Sequence, residues 1–134
     1  MKTALHTGGA WPDRLTQCLP LLDWVGFDVK APFADYKQIT HKLDSGAQAR
    51  VSLTRLIESG VDYECRTTFH PDLLSTEQLR RLATTLAVQG VQHFALQPYR
   101  ANGCGQSLPL TKAWPEARFM AEMGSLFPHF SVRG

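Results

Sequence analysis

Trp24-Val25-Gly26-Phe27-Asp28-Val29-Lys30-Ala31-Pro32 is the stretch whose reading decides the fold. Side chains alternate across a strand, so Val25, Phe27 and Val29 point one way while Asp28 and Lys30 point the other. Pro32 ends the run, because it has no N–H to give to a ladder. The stretch therefore offers an apolar face for a core and an acid and a base at its carboxyl end. Parallel α/β folds keep their ligand sites at that end. A local ion pair at a strand terminus explains the two charges equally well on their own.

The sequence around it repeats one theme. Upstream, residues 3–7 form a short strand running into Gly8-Gly9, and Pro12 suits the first turn of a helix that ends near Leu19. Downstream, Ala49, Leu53, Leu56 and Ile57 recur at helical spacing, with Gly60 placed as a C-cap. A long strand over 61–69 is closed by His70-Pro71. Ser75 and Gln78 have the spacing of a capping box for a helix whose apolar face is Leu79, Leu82, Ala83 and Leu86. Gly90 ends that helix, residues 92–97 form the next strand, and 99–112 form a loop containing glycine and proline. A last helix carries Phe119, Met120 and Met123, and 130–133 forms a short terminal strand.

Strands alternating with single helices imply βαβ units and a parallel sheet. A doubly wound sheet covers both faces and has near-continuous apolar strands. Here one face of successive strands carries Asp28, Lys30, Glu64, Arg66, Thr68 and Gln97. That pattern predicts a curved sheet or partial barrel, with helices outside and a polar, ligand-holding concave side. The bland counterpart is a buried ion network that satisfies itself.

Composition bounds the function. The chain has 134 residues, enough for one domain with a real core, and no linker, repeat or low-complexity segment. A formal net charge of +2 is too small to argue for nucleic acid or an anionic membrane. Nothing resembles a signal peptide or a membrane span. Cys18, Cys65 and Cys104 are odd in number and far apart, which fits a reducing cytoplasm and supplies no metal or iron–sulfur motif. Lys30, Arg66 and Arg100 can donate to carboxylate or phosphate, while Asp28 and Glu64 can hold an ammonium, a ribose hydroxyl or a cation. Thr7 and the Gly8-Gly9 backbone offer close approach at the end of the first strand. Together they suit a zwitterionic small molecule such as an amino acid derivative. The other enzyme reading makes Lys30 a Schiff-base lysine in an aldolase-like barrel. Asp28 two residues away opposes that, because it favours the charged amine.

Four segments, in this order, resemble the carboxy-terminal part of radical S-adenosylmethionine activating enzymes. They are Leu5-His6-Thr7-Gly8-Gly9, Asp23 to Pro32, Gly60 to Pro71 (Gly-Val-Asp-Tyr-Glu-Cys-Arg-Thr-Thr-Phe-His-Pro) and Phe94-Ala95-Leu96-Gln97-Pro98-Tyr99-Arg100. The likeness is nearest to the activating proteins of anaerobic ribonucleoside-triphosphate reductase and extends to those of pyruvate formate-lyase. It implies an α/β fold, the last four or so units of a partial (β/α)6 barrel, with about four parallel strands and outer helices. In that family a Cys-x-x-x-Cys-x-x-Cys loop in the first unit holds a [4Fe-4S] cluster, which binds S-adenosylmethionine. Cleavage of the bound cofactor yields a 5′-deoxyadenosyl radical that takes hydrogen from a glycine of the partner enzyme. Residues 1–134 contain no such loop, so the resemblance implies a single incomplete domain without its first two β/α units, from a truncated or internally started reading frame.

Residue by residue, Asp28 and Lys30 match the family's Asp-x-Lys beside the methionyl end of the cofactor. Arg66 matches a basic residue facing the same cavity, and Thr7 also matches. Arg100 falls where the pyruvate formate-lyase branch has a cofactor-contacting histidine, and His6 stands where that branch has an aspartate. The expected cofactor-binding set is Thr7, Asp28, Lys30, Arg66, Gln97 and Arg100, with no metal ligand and no catalytic residue in this chain itself. The expected partner is the anaerobic reductase, a glycyl radical enzyme. A shortened descendant that binds S-adenosylmethionine or the reductase without radical chemistry stands beside the fragment reading.

Overall fold

A computed structural model describes residues 3–37, 44–70, 74–98 and 116–132. Five strands and four helices alternate along these residues. They are β1 Ala4–Thr7, α1 Pro12–Cys18, β2 Trp24–Asp28, α2 Ser45–Ser59, β3 Asp62–Phe69, α3 Thr76–Gln89, β4 His93–Pro98, α4 Ala117–Leu126 and β5 His129–Val132. Two short 3-10 turns, Leu19–Leu21 and Phe33–Asp35, lie before and after β2.

The element boundaries follow from local chemistry. Pro12 opens α1, where its missing N–H costs nothing. Ser75 Oγ accepts from the Gln78 N–H while the Gln78 side chain accepts from the Ser75 N–H, so the capping box of α3 is complete. Gly60 and Gly90 end α2 and α3 in the left-handed conformation that terminates helices without a Cβ penalty.

All neighbouring strands are parallel, and their order is β1-β2-β3-β4-β5. Each connection therefore steps to the adjacent strand in one direction. Right-handed crossovers then put every helix on the same side of the sheet. A doubly wound fold would reverse direction and cover both sides. The arrangement is that of a partial α/β barrel.

Burial agrees with this one-sidedness. Val25, Phe27 and Val29, Cys65, Thr67 and Phe69, and Phe94 and Leu96 are buried together with Leu53, Leu56, Leu82, Leu86 and Met123 of the helices. Burying each large aliphatic or aromatic side chain is worth about 1.5–3 kcal/mol. On the opposite face, Asp28, Glu64, Arg66, Thr68 and Gln97 remain half-buried.

The sheet has five strands, matching the five segments read as strands, where the family resemblance implied about four. The terminal segment pairs over 129–132 rather than 130–133, from His93↔His129 to Leu96↔Val132. A four-residue strand has little stability of its own and takes its structure from what it joins. Here the His129 N–H donates to the Gln92 carbonyl at 2.9 Å, and Phe130 stacks against Phe94. The loop read at 99–112, with Arg100, lies outside the described residues. No described helix is long and apolar enough to cross a membrane.

Candidate functional site on the open face of the sheet

Strand register assembles the site in rows. Asp28 stands opposite Arg66, Gly26 opposite Glu64, and Thr68 opposite Gln97. Each pair shares a face because parallel partners in register project the same way. Asp28, Arg66 and Gln97 are thus brought to the side away from the helices, as their alternation predicted. Gln97 Nε2 donates to Thr68 Oγ1 at 3.2 Å, which fixes that amide.

Arg66 is committed elsewhere than to Asp28. Its Nε donates to Glu64 Oε1 at 2.9 Å, its terminal nitrogen comes 3.5 Å from His6 Nδ1, and its guanidinium lies 5.1 Å from the centre of the Trp24 ring. His6 meets the same indole edge-on at 5.5 Å. Gly26 makes room for this cluster. A Cβ there would stand 2.7 Å from His6 Nδ1 and 3.1 Å from the Trp24 ring.

Asp28 is left with no hydrogen bond from the described residues, and no ion pair joins it to Lys30 within 4.0 Å. Burial pushes its carboxyl above the ordinary carboxylate value, with the Lys30 and Arg66 charges pulling the other way. The ion pair at the strand end is therefore not formed: the two groups sit near enough to feel each other's charge and remain apart. Lys30 is exposed, and its aliphatic stem passes Gly8, where a Cβ would lie 4.0 Å from Lys30 Cε.

Thr7 sits differently from the others. Its register partner is Phe27, so it belongs to the helix side of the sheet, and its Oγ1 accepts from the Gly9 N–H at 3.1 Å. The Gly8-Gly9 pair divides into two roles. Gly9 is buried, with a φ of 75°, and a Cβ there would stand 2.6 Å from the Phe27 ring and 2.8 Å from Ser52 Cβ. Its carbonyl accepts from Ser52 Oγ at 2.8 Å. Gly9 serves packing, and Gly8 is the one that borders Lys30.

Three residues of this site were not singled out in the sequence: Trp24, Gly26 and Tyr36. The first two share the parity of Asp28 along β2, and that signal places them on the polar face. Tyr36 carries no such signal, because its position depends on how the turn after β2 folds back.

The described residues fit a zwitterionic ligand better than a metal. A half-buried carboxylate without a hydrogen bond is costly unless a cationic donor reaches it. The Lys30 ammonium, outside any ion pair among the described residues, can receive a carboxylate. The described residues do not supply the ligands of an iron–sulfur cluster. Cys18 is exposed on α1, whereas Cys65 is buried on the helix side, where burial pushes its thiol well up and away from the thiolate a metal needs. Among the described residues no three His, Cys, Asp or Glu side chains gather where they could hold a metal ion.

No protein-family model matches the chain. A protein of Methanocaldococcus jannaschii, provisionally described as a glycyl-radical enzyme activating enzyme, is 24% identical over 128 residues, a match that takes in 91% of this chain and 52% of that protein. The chain spans about half the length of this relative. The likeness agrees with the resemblance carried by the sequence motifs at the level of activating enzymes, and does not distinguish one branch of them.

Proposed function

We propose that this chain forms the part of a radical S-adenosylmethionine activating enzyme that holds the methionyl end of the cofactor, and that its partner is a glycyl radical enzyme, the anaerobic ribonucleoside-triphosphate reductase. The observation that carries the reading is the half-buried Asp28 carboxylate, which no described residue hydrogen-bonds, close to a Lys30 ammonium outside any ion pair among the described residues, on the open face of a one-sided parallel sheet. The distant likeness to an activating enzyme supports it.

In this reading Asp28 accepts from the α-ammonium of the cofactor and Lys30 donates to its α-carboxylate. Arg66 adds positive potential from its place against Glu64 and Trp24. The Gln97 amide, held by Thr68, presents its oxygen to the same face, and the family resemblance adds Arg100 to the binding set. Thr7 acts indirectly, by shaping the turn at Gly9. Bound there, S-adenosylmethionine would supply the radical chemistry by which such enzymes activate a glycine of their partner. The cysteines described here do not hold the cluster needed for that chemistry, so we assign the cluster to a polypeptide segment other than this one. The reading places the protein in the cytoplasm, where such partners and reduced clusters survive.

Equilibrium dialysis against labelled S-adenosylmethionine tests the reading. Saturable binding is expected, with Asp28→Asn and Lys30→Met each weakening it about 10- to 100-fold, the worth of one charge-assisted hydrogen bond. Decarboxylated S-adenosylmethionine should lose the Lys30 contribution alone. Absence of saturable binding, or affinity indifferent to both substitutions, refutes the assignment.

A further inference from the structure

Val29 and Lys30 lie past the last residue of β2, so regular strand pairing no longer fixes them. Three other bonds do. The Val29 N–H donates to the Arg66 carbonyl at 2.8 Å, Thr67 Oγ1 donates to the Val29 carbonyl at 2.8 Å, and the Lys30 N–H donates to Tyr36 Oη at 3.0 Å. The first two hold Val29. The third holds Lys30, six residues before the ring that accepts it.

Tyr36 is well placed to act as a fixed post. It is buried, and it follows directly on the 3-10 turn Phe33–Asp35, which the Asp35 N–H closes onto the Pro32 carbonyl at 2.8 Å. The Phe33 and Tyr36 rings are 5.5 Å apart. Gly46, in the first turn of α2, lets this turn approach the helix, since a Cβ there would collide with the Phe33 carbonyl. Burial, helped by the negative charge of Asp28, holds the phenolic proton in place. The hydroxyl is therefore a neutral acceptor for the Lys30 amide and no candidate base.

We propose that Tyr36 is a positioning residue for the Lys30 end of the Asp28–Lys30 pair: its buried hydroxyl accepts the Lys30 N–H and so fixes the backbone from which the ammonium rises. For its functional meaning this rests on the reading of that pair as the cofactor's methionyl site. The physical claim stands or falls separately.

Tyr36→Phe removes the oxygen and keeps the ring. The first arm of the experiment needs no ligand. Amide exchange by NMR should show the wild-type Lys30 amide protected. In Tyr36→Phe that amide should exchange faster. A residue that only stabilised the fold would lower the melting temperature and speed exchange along the whole sheet, without singling out Lys30. The second arm measures S-adenosylmethionine affinity, expected to weaken about fivefold with the loss of one neutral hydrogen bond. If the wild-type chain binds no S-adenosylmethionine, the functional reading fails while the first arm still judges Tyr36. An unprotected Lys30 amide in the wild type, or an unchanged Lys30 exchange rate in a folded Tyr36→Phe variant, overturns the proposal.

Discussion

Gly8 and Gly9 are neighbours of identical type, and replacing each by alanine should give opposite results. At Gly9 two costs add. The φ of 75° lies in the left-handed region, which costs an L-residue about 1–2 kcal/mol. The new Cβ would also stand 2.6 Å from Phe27 Cζ and 2.8 Å from Ser52 Cβ. Both neighbours are fully buried, and Ser52 is held in place by its bond to the Gly9 carbonyl, so neither can move away freely. Overpacking of this kind costs about 1–3 kcal/mol. The sum, roughly 2–5 kcal/mol, is a large share of the 5–15 kcal/mol that a domain of ordinary stability has, to order of magnitude. At Gly8 the φ is not positive, and the nearest atoms to a new Cβ are the Asp28 carbonyl oxygen at 3.9 Å and Lys30 Cε at 4.0 Å, ordinary contact distances. Gly8→Ala should therefore be neutral or gain about 0.4–1 kcal/mol through a less flexible unfolded chain. Urea unfolding followed by tryptophan fluorescence reads both. With a slope of about 1.5 kcal/mol/M, the Gly9→Ala midpoint should fall by roughly 1.5–3 M while that of Gly8→Ala holds or rises. Equal losses in the two variants, or a Gly9→Ala loss below about 1 kcal/mol, would refute the division of roles.

Two further outcomes follow from the polar face. Burial raises Asp28 in the folded state, so the unfolded chain gives up this proton first as pH rises, and the wild type loses stability from the ordinary value of 3.8 up through the raised folded value. Asp28→Asn escapes that loss; its urea midpoint should gain on wild type between about pH 3 and about pH 7, and a gain that shrinks with rising pH would contradict the sign. Arg66→Lys cannot keep both the Glu64 bond and the flat contact with Trp24, and it should cost about 1–2 kcal/mol. A double-mutant cycle with Trp24→Leu isolates the ring contact, with an expected coupling of about 0.5–1 kcal/mol, and zero coupling would remove it from the account.

Several parts of the site were legible before any tertiary information. The alternation in 24–30 and 61–70 put Asp28 with Lys30 and Glu64 with Arg66 on one side, and the register confirms that Asp28, Glu64, Arg66 and Gln97 share a face. The ion-pair reading of Asp28 and Lys30 did not survive, because residues two apart on a strand share a face without having to touch. Thr7 was grouped with them by its place at a strand end. Its register with Phe27 sets it on the other side, and no signal within residues 3–9 alone reveals which strand β1 will join or in what register. The turn at Gly9 and the post at Tyr36 were equally hidden, since each depends on residues more than five positions away.

What this sequence determines by itself is local and periodic. Residue alternation selects strand faces, glycine, proline and the Ser75–Gln78 box set the ends of elements, and strict strand–helix alternation implies a parallel sheet, because all of these act within a few residues. What only the tertiary structure decided is which neighbours those faces meet. Strand order put all the helices on one side, Gly26 opened the space in which His6, Trp24 and Arg66 gather, and the turn through Phe33 brought the Tyr36 hydroxyl to the Lys30 amide. Those contacts join positions far apart along the chain, and their energies depend on distances of a few ångströms that no one-dimensional pattern encodes.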